Sequence, residues 1–180
     1  IEKLQKIWKD SNSPFLIYKN KELKFSKITS EKPLDLSLVN SGDIVALIGD
    51  FNPSSILILL NLIELGAIIV PLTKETRSEH EYFFESATVD MVIEDKKITQ
   101  LRKKEKSQLI EDLKKSDHAG LILFSTGTTG RPKAILHDLT LFLKRFETPR
   151  QTFRTINFLL FDHIGGLNTL FHTLFNKGVV

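Results

Sequence analysis

The sequence predicts an α/β fold, in which a mostly parallel sheet is built from βαβ units with helices on both faces and a hairpin at the amino end. The first observation is a series of short apolar runs, at 44–48, 67–72, 89–93, 121–124 and 155–161. Uninterrupted apolar runs of this length are typical of parallel strands that are covered on both faces. The second observation is that segments with helical spacing of apolar residues separate these runs, which is the order expected of βαβ units.

Composition and charge exclude several classes of protein. The chain has 41% hydrophobic and 26% charged residues over 180 positions, as globular proteins do. A formal net charge of only +3 argues against a nucleic-acid-binding protein. There is no cysteine, so the sequence offers neither a disulfide framework nor a thiolate site, and we expect a cytoplasmic protein. The longest apolar stretch, 55–72, is interrupted by Asn61 and Glu64, so no membrane span is expected.

The first segment, residues 1–40, is predicted to contain a lead-in helix and the hairpin. Leu4, Ile7 and Trp8 share one helical face. The hairpin strands are predicted at 15–18 and 23–25, around a polar turn.

The second segment, residues 41–118, is predicted to be a βαβ lobe. Its first helix runs from about 54 to 65 and ends at Gly66, a favourable C-cap. A second helix is predicted from a cap at Ser78 to about residue 87. The charge-rich stretch 94–106 is interpreted as a solvated loop and helix face, and the alternative is a basic patch that binds an acidic partner. A third helix follows, with an inward face of Leu109, Ile110 and Leu113.

The third segment, residues 119–180, carries a loop between a buried strand and a return strand at 134–137. A helix over 139–147 and the strand at 155–161 follow. The last helix has an apolar side over 167–175. We expect this apolar side and the sheet edge beside Val180 to lie open, and therefore expect the chain to self-associate.

The loop itself has the composition of a phosphate site. Between the strand and Lys133 lie two glycines and four hydroxyl residues. Gly127 and Gly130 allow backbone N–H groups to approach an anion without interference from a Cβ atom, and Lys133 adds positive charge. The loop is not a Walker A motif, because Arg-Pro-Lys follows Gly130, and it is not a GxGxxG motif.

Residues 124–134, Phe-Ser-Thr-Gly-Thr-Thr-Gly-Arg-Pro-Lys-Ala, resemble the signature Tyr-Thr-Ser-Gly-Thr-Thr-Gly-x-Pro-Lys-Gly of the adenylate-forming (AMP-binding) superfamily, which includes the acyl-CoA synthetases. This chain departs at Phe124, at the inverted Ser125-Thr126 pair and at Ala134. Residues 64–72 are similar to the LGAxxVPL stretch of acyl-CoA synthetases. The alternative for the loop is a hydroxyl-rich turn between two strands.

A second stretch, residues 161–168, resembles the FHxxGLN stretch of acyl-CoA synthetases. The resemblance places His163 and Gly166 in the acyl-substrate pocket, with His163 beside the acyl carboxylate. The alternative is that Asp162 caps a helix and His163 is a core residue. His163, Asp162 and His172 do not have the spacing of a metal site, and we predict no metal ligand in this chain.

The resemblance implies that the chain is part of the large N-terminal domain of a carboxylate–CoA ligase that uses ATP, Mg²⁺ and CoA. In this reaction a carboxylic acid becomes an acyl-adenylate and is then transferred to CoA. Lys133 is the expected catalytic residue, and the magnesium ligand is expected outside residues 1–180. The expected phosphate-binding residues are Ser125, Thr126, Gly127, Thr128, Thr129 and Gly130.

Two other functions remain open. The chain is either part of an adenylation domain that loads a carrier protein, or a truncated, non-catalytic binding module. In each case the expected ligands are small molecules rather than nucleic acid. We expect the fragment alone to be inactive, because the resemblance places the adenylation lysine and the ribose-binding aspartate further along the chain.

Overall fold

The computed structural model describes residues 2–125 and 130–180. Sixteen elements are present there, one of them a 3₁₀ helix at Lys74–Glu79. The strands are β1 Leu16–Tyr18, β2 Lys21–Leu23, β3 Ile44–Ile48, β4 Ile68–Leu72, β5 Met91–Glu94, β6 Lys97–Gln100, β7 Gly120–Ser125 and β8 Lys133–Asp138. The helices are α1 Glu2–Trp8, α2 Phe25–Thr29, α3 Pro53–Glu64, α4 His80–Ser86, α5 Gln108–Lys115, α6 Leu139–Lys144 and α7 Ile164–Phe175.

The predicted α/β fold is confirmed. Six strands form one sheet in the order β6-β5-β3-β4-β7-β8, and β1 pairs with β2 in a separate antiparallel hairpin. The four central strands are parallel, whereas β6 and β8 run antiparallel at the two edges. The sheet joins strands from both of the predicted segments 41–118 and 119–180.

Both faces of the sheet are covered, which explains why its strands are apolar without alternation. In β3, Val45 and Leu47 pack on the face that carries α1, α2, α3 and α7. Ile44 and Ala46 pack on the opposite face, which carries α4 and α5. All five residues of β3 and all five of β4 are buried.

The two ends of the chain pack against each other. Trp8 donates its indole N–H to the carbonyl of Leu174, 2.8 Å away. Val180 donates to Phe15 at 2.9 Å and accepts from the N–H of Ile17 at 2.7 Å. The expectation that the apolar side of the last helix is open is therefore wrong, because this side is buried beneath α1 and α6, through Leu167, Leu170, Phe171 and Leu174.

The predicted strand at 155–161 is absent. A strand needs a backbone partner, and the N–H of Thr155 donates to Val179, which lies outside the six-stranded sheet. A single parallel bridge joins Arg154 to Val179 in this region. The alternating apolar residues are instead left exposed, with Ile156 at 85% and Phe158 at 83% of full exposure.

Three smaller predictions on the second segment are also corrected. Ser78 does not cap a helix, because it lies inside the 3₁₀ helix and α4 begins at His80. The charge-rich stretch contains strand β6, which hydrogen-bonds to β5 after a turn in which Asp95 and Lys96 both have positive φ. Leu109 is 70% exposed, so only Ile110 and Leu113 face the core.

A buried ion pair holds the amino end of the sheet. Lys106 donates to Asp90 at 2.8 Å, and both side chains are at least nine-tenths buried. Asp90 also accepts from the backbone N–H of Ile44, at 2.9 Å. This pair ties the segment after β6 to β3, and the hydrogen bonds offset the cost of burying two charges. No helix of the described residues is long and apolar enough to cross a membrane.

Candidate functional site

The two limbs of the predicted phosphate loop lie side by side. Ser125, the last residue of β7, is paired in register with Lys133, the first residue of β8. The backbone N–H of Lys133 points to the Ser125 hydroxyl at 3.4 Å, a long hydrogen bond. Lys133 and Gly130 are exposed, and among the described residues, chain neighbours aside, no atom lies within 4 Å of the position that a Cβ of Gly130 would take. The other predicted phosphate-binding residues, Thr126, Gly127, Thr128 and Thr129, lie outside the described residues.

A cavity of about 380 Å³ connects the predicted phosphate loop to the second predicted stretch, residues 161–168. It lies at the carboxyl ends of β4 and β7, where open α/β sheets bind ligands. Ser125 and Pro132 border it on the loop side, and Asp162 and His163 border it on the other. Its remaining walls are largely apolar, formed by Pro71, Leu72, Phe83, Phe124, Phe158, Leu159 and Leu160, with Thr76 and Glu79 at the 3₁₀ helix. The volume and the few convergent polar groups suit a small organic ligand.

Asp162 is partly buried at this cavity. Its carboxylate accepts a hydrogen bond from the hydroxyl of Thr73, 3.4 Å away, and Thr73 is only 2% exposed. Burial raises the pKa of Asp162 above the usual value, and the charge of Glu75 acts in the same direction. Hydrogen bonds from the backbone N–H of Asp162 itself and from the hydroxyl of Thr73 oppose this shift without cancelling it.

His163 is exposed and begins helix α7. Its Nδ1 accepts a hydrogen bond from the backbone N–H of Gly165 at 3.0 Å, so the N-cap residue is His163. The alternative of a capping Asp162 and a core histidine is therefore wrong. The hydrogen bond from the Gly165 N–H to Nδ1 fixes the orientation of the imidazole ring at the cavity.

Gly166 is not among the described residues that line this cavity. It is buried on α7, where a Cβ would lie 2.7 Å from the carbonyl oxygen of Leu160 and 2.9 Å from the ring of Phe51. Ser125 and His163 therefore line the same cavity. Gly166 lies behind the cavity wall, where the lack of a side chain lets α7 pack closely against Leu160 and Phe51.

Sequence patterns missed two residues of this region. Thr73 precedes the 3₁₀ helix and reaches Asp162 across 89 positions of sequence. Tyr82 on α4 reaches Pro132 across 50 positions. Neither lies in a recognisable motif, so no local signal marks them. Within the ranges that the structure describes, no group of three or more histidine and acidic side chains could hold a metal ion.

No family model matches the chain. No curated protein matches it either. Solved structures do match. The N-terminal subdomain of Klebsiella oxytoca NpsA, in complex with 3-hydroxyanthranilyl-AMSN, has a TM-score of 0.74 and 19% identity, over 99% of this chain and 50% of that one. O-succinylbenzoate coenzyme A synthetase (MenE) from Bacillus subtilis, in complex with AMP, has a TM-score of 0.67 and 17% identity, over 99% of this chain and 54% of that one.

The chain has the fold of an N-terminal adenylation subdomain. A third match is NpsA–ThdA, an artificially fused adenylation–PCP di-domain from K. oxytoca, with a TM-score of 0.73 and 19% identity over 99% of this chain and 40% of that one. The chain thus spans about half the length of the NpsA subdomain and MenE structures.

The first prediction separates packing from ligand binding at the glycines. Gly166→Ala is expected to lower the free energy of unfolding by about 1–2 kcal/mol, because overpacking against a carbonyl and a ring outweighs the gain in helix propensity. Gly130→Ala is the control, since its new methyl group meets open space. Urea denaturation of both variants measures the difference. Equal unfolding free energies for the two would contradict this role of Gly166.

The second prediction concerns pH. A raised pKa means that the folded chain binds the Asp162 proton more tightly than the unfolded chain does. The unmodified chain therefore loses stability as pH rises from about 3.9, the usual aspartate value, through the raised folded value. Asp162→Asn removes this loss. In urea denaturation, the free energy of unfolding of the variant should therefore increase relative to that of the unmodified chain from pH 4 to pH 7.

Asp138 provides a control of opposite sign. Burial raises the pKa of Asp138, but hydrogen bonds from His118 and from the Leu141 N–H, with the charges of His118 and Lys144, outweigh burial and lower it. Asp138 therefore stabilises the fold above the usual aspartate pKa, and this contribution disappears as pH falls through the lowered value. Asp138→Asn should destabilise at pH 7. If the unfolding free energies of Asp162→Asn and of the unmodified chain changed in parallel with pH, the raised pKa of Asp162 would be refuted.

Proposed function

We propose that residues 1–180 supply the phosphate loop and part of the acid pocket of an ATP-dependent carboxylate–CoA ligase of the adenylate-forming superfamily. The observation that carries this proposal is the cavity that joins Ser125 and Pro132 of the phosphate loop to Asp162 and His163. A carboxylate held beside His163 would then lie next to the phosphates of ATP. The fold shared with NpsA and MenE supports the same superfamily.

In the proposed first step, a carboxylate oxygen attacks the α-phosphorus of ATP. A new oxygen–phosphorus bond forms, the bond from the α-phosphorus to the bridging oxygen breaks, and pyrophosphate leaves with the electron pair. Negative charge builds on the leaving group, and a preorganised cation there lowers the barrier. We assign this role to the exposed ammonium of Lys133, which pairs through its backbone with Ser125 on the other limb of the loop.

The remaining loop residues, Thr126, Gly127, Thr128, Thr129 and Gly130, are proposed to bind the β- and γ-phosphates through N–H and hydroxyl donors. Magnesium would neutralise phosphate charge, and we place its protein ligand outside residues 1–180. In the second step the thiol of CoA forms a thioester with the acyl group, and AMP leaves. Gly166 is proposed to support the acid pocket through the packing of α7.

A carrier protein is the alternative acceptor. The match to an adenylation–PCP di-domain favours it, whereas the match to a coenzyme A synthetase favours CoA. Incubating the acyl-adenylate with CoA and, separately, with a carrier protein bearing a thiol would distinguish the two by the thioester formed. A truncated binding module would form neither thioester nor adenylate. A cytoplasmic location is part of this proposal, because ATP and CoA are available there.

The test uses ATP–pyrophosphate exchange, with a panel of acids, by the whole polypeptide that contains residues 1–180. Lys133→Ala is expected to slow exchange by on the order of 10²–10³ with every acid, while AMP binds almost as before, since AMP lacks the leaving group. His163→Ala should raise the Michaelis constant for the acid and leave that for ATP nearly unchanged. Equal losses of AMP affinity and rate in Lys133→Ala would contradict the role of Lys133.

We also propose that the isolated chain self-associates and lacks ligase activity. The surface is the exposed strip of Ile156, Phe158 and Leu160, because contiguous apolar side chains favour association. Light scattering should detect a dimer or larger species, and Ile156→Ser should shift it toward monomer. Leu109→Ser is the control, since Leu109 is similarly exposed but lies on α5. A monomeric unmodified chain at high concentration would contradict this proposal.

A further inference from the structure

Helix α4 contacts both limbs of the phosphate loop through two adjacent aromatic residues. Phe83 stacks on Phe124 of the incoming strand, with ring centroids 4.1 Å apart and an interplanar angle of 24°. Tyr82 donates its hydroxyl to the carbonyl oxygen of Pro132 in the outgoing limb, at 2.8 Å. The guanidinium of Arg131 lies 5.2 Å from the centre of the Tyr82 ring, within the range of a cation–π contact.

The peptide unit between Pro132 and Lys133 is held from both sides. Its carbonyl oxygen accepts from Tyr82, and its N–H points to the hydroxyl of Ser125 at 3.4 Å. A peptide unit is planar, so fixing its two polar groups fixes the direction in which the chain enters Lys133. Proline has no N–H, which leaves this carbonyl as the hydrogen-bonding group through which the backbone of Pro132 can be held.

We propose that Tyr82 is a positioning residue for the phosphate loop, which orients the Arg131–Lys133 limb so that Lys133 meets the bound phosphates. This inference rests on the proposed function of the loop. Tyr82 acts through the backbone and does not itself contact the anion. A limb that is already ordered before binding loses less entropy when the anion arrives, so the preorganised loop binds more tightly. Phe83 contributes by anchoring the opposite limb in the core.

Isothermal titration of inorganic pyrophosphate into the whole polypeptide that contains residues 1–180 tests this role. Tyr82→Phe retains the ring beneath Arg131 and removes only the hydroxyl, and we expect it to weaken binding about threefold to tenfold, as the loss of one ordering hydrogen bond would. Tyr18→Phe is the matched control, because Tyr18 lies in β1 and is the other tyrosine of the sequence. Its affinity should equal that of the unmodified chain.

A double-mutant cycle with Lys133→Ala distinguishes positioning from general stabilisation. If Tyr82 acts by orienting Lys133, adding Tyr82→Phe to Lys133→Ala should cause almost no further loss of affinity. Independent, multiplying losses would overturn the inference, and so would an unchanged affinity in Tyr82→Phe alone. A chain that binds no pyrophosphate would overturn the proposed phosphate site together with this inference. Binding that responds to Lys133→Ala but not to Tyr82→Phe would overturn the inference alone.

Discussion

The candidate site depends on the point at which β4 and β7 separate. Their ladder ends at the pair Ile69–Leu121, although both strands continue toward the carboxyl edge. The backbone N–H of Ile68 donates to the carbonyl of Asp43, on the β3 side. The backbone N–H and C=O groups of successive β4 residues therefore point in turn toward β3 and toward β7. Pro71 is one of those that face β7, and it has no N–H to donate. Strands β4 and β7 separate at Pro71, where a continued ladder would need a backbone N–H donor. The cavity occupies the space between the two strands.

This separation gives the walls of the cavity different origins. Pro71 and Leu72 come from β4, Phe124 and Ser125 come from β7, and residues 158–163 cross the opening without forming a strand. The crossing segment is tied back to the end of β4 by Thr73 and Asp162. Because residues 158–163 form no strand there, the space between the ends of β4 and β7 stays open as the cavity.

The parts of the fold that the sequence predicts well are those in which a local pattern decides the structure. The unit from β3 to β4 follows from two apolar runs, the Asn52 cap, which accepts from the N–H of Ser55, and Gly66, which has φ +72°. Sequence patterns do not predict elements whose structure depends on a pairing partner elsewhere in the chain. Strand β6, Lys97–Gln100, is polar because it lies at an edge, and its pairing comes from the turn before it. The apolar run at 155–161 has strand composition, but its backbone contact through Thr155 is to Val179 and not to the six-stranded sheet.

The same distinction applies to the site. The phosphate loop is a contiguous motif, so its composition alone predicts an anion-binding role for residues such as Lys133. The groups that shape the loop and the cavity are distant in sequence: Tyr82 lies 50 positions before Pro132, and Thr73 lies 89 positions before Asp162. The wall of the cavity opposite the loop is built from such distant residues, so its shape and charge follow from the tertiary fold and no local pattern predicts them.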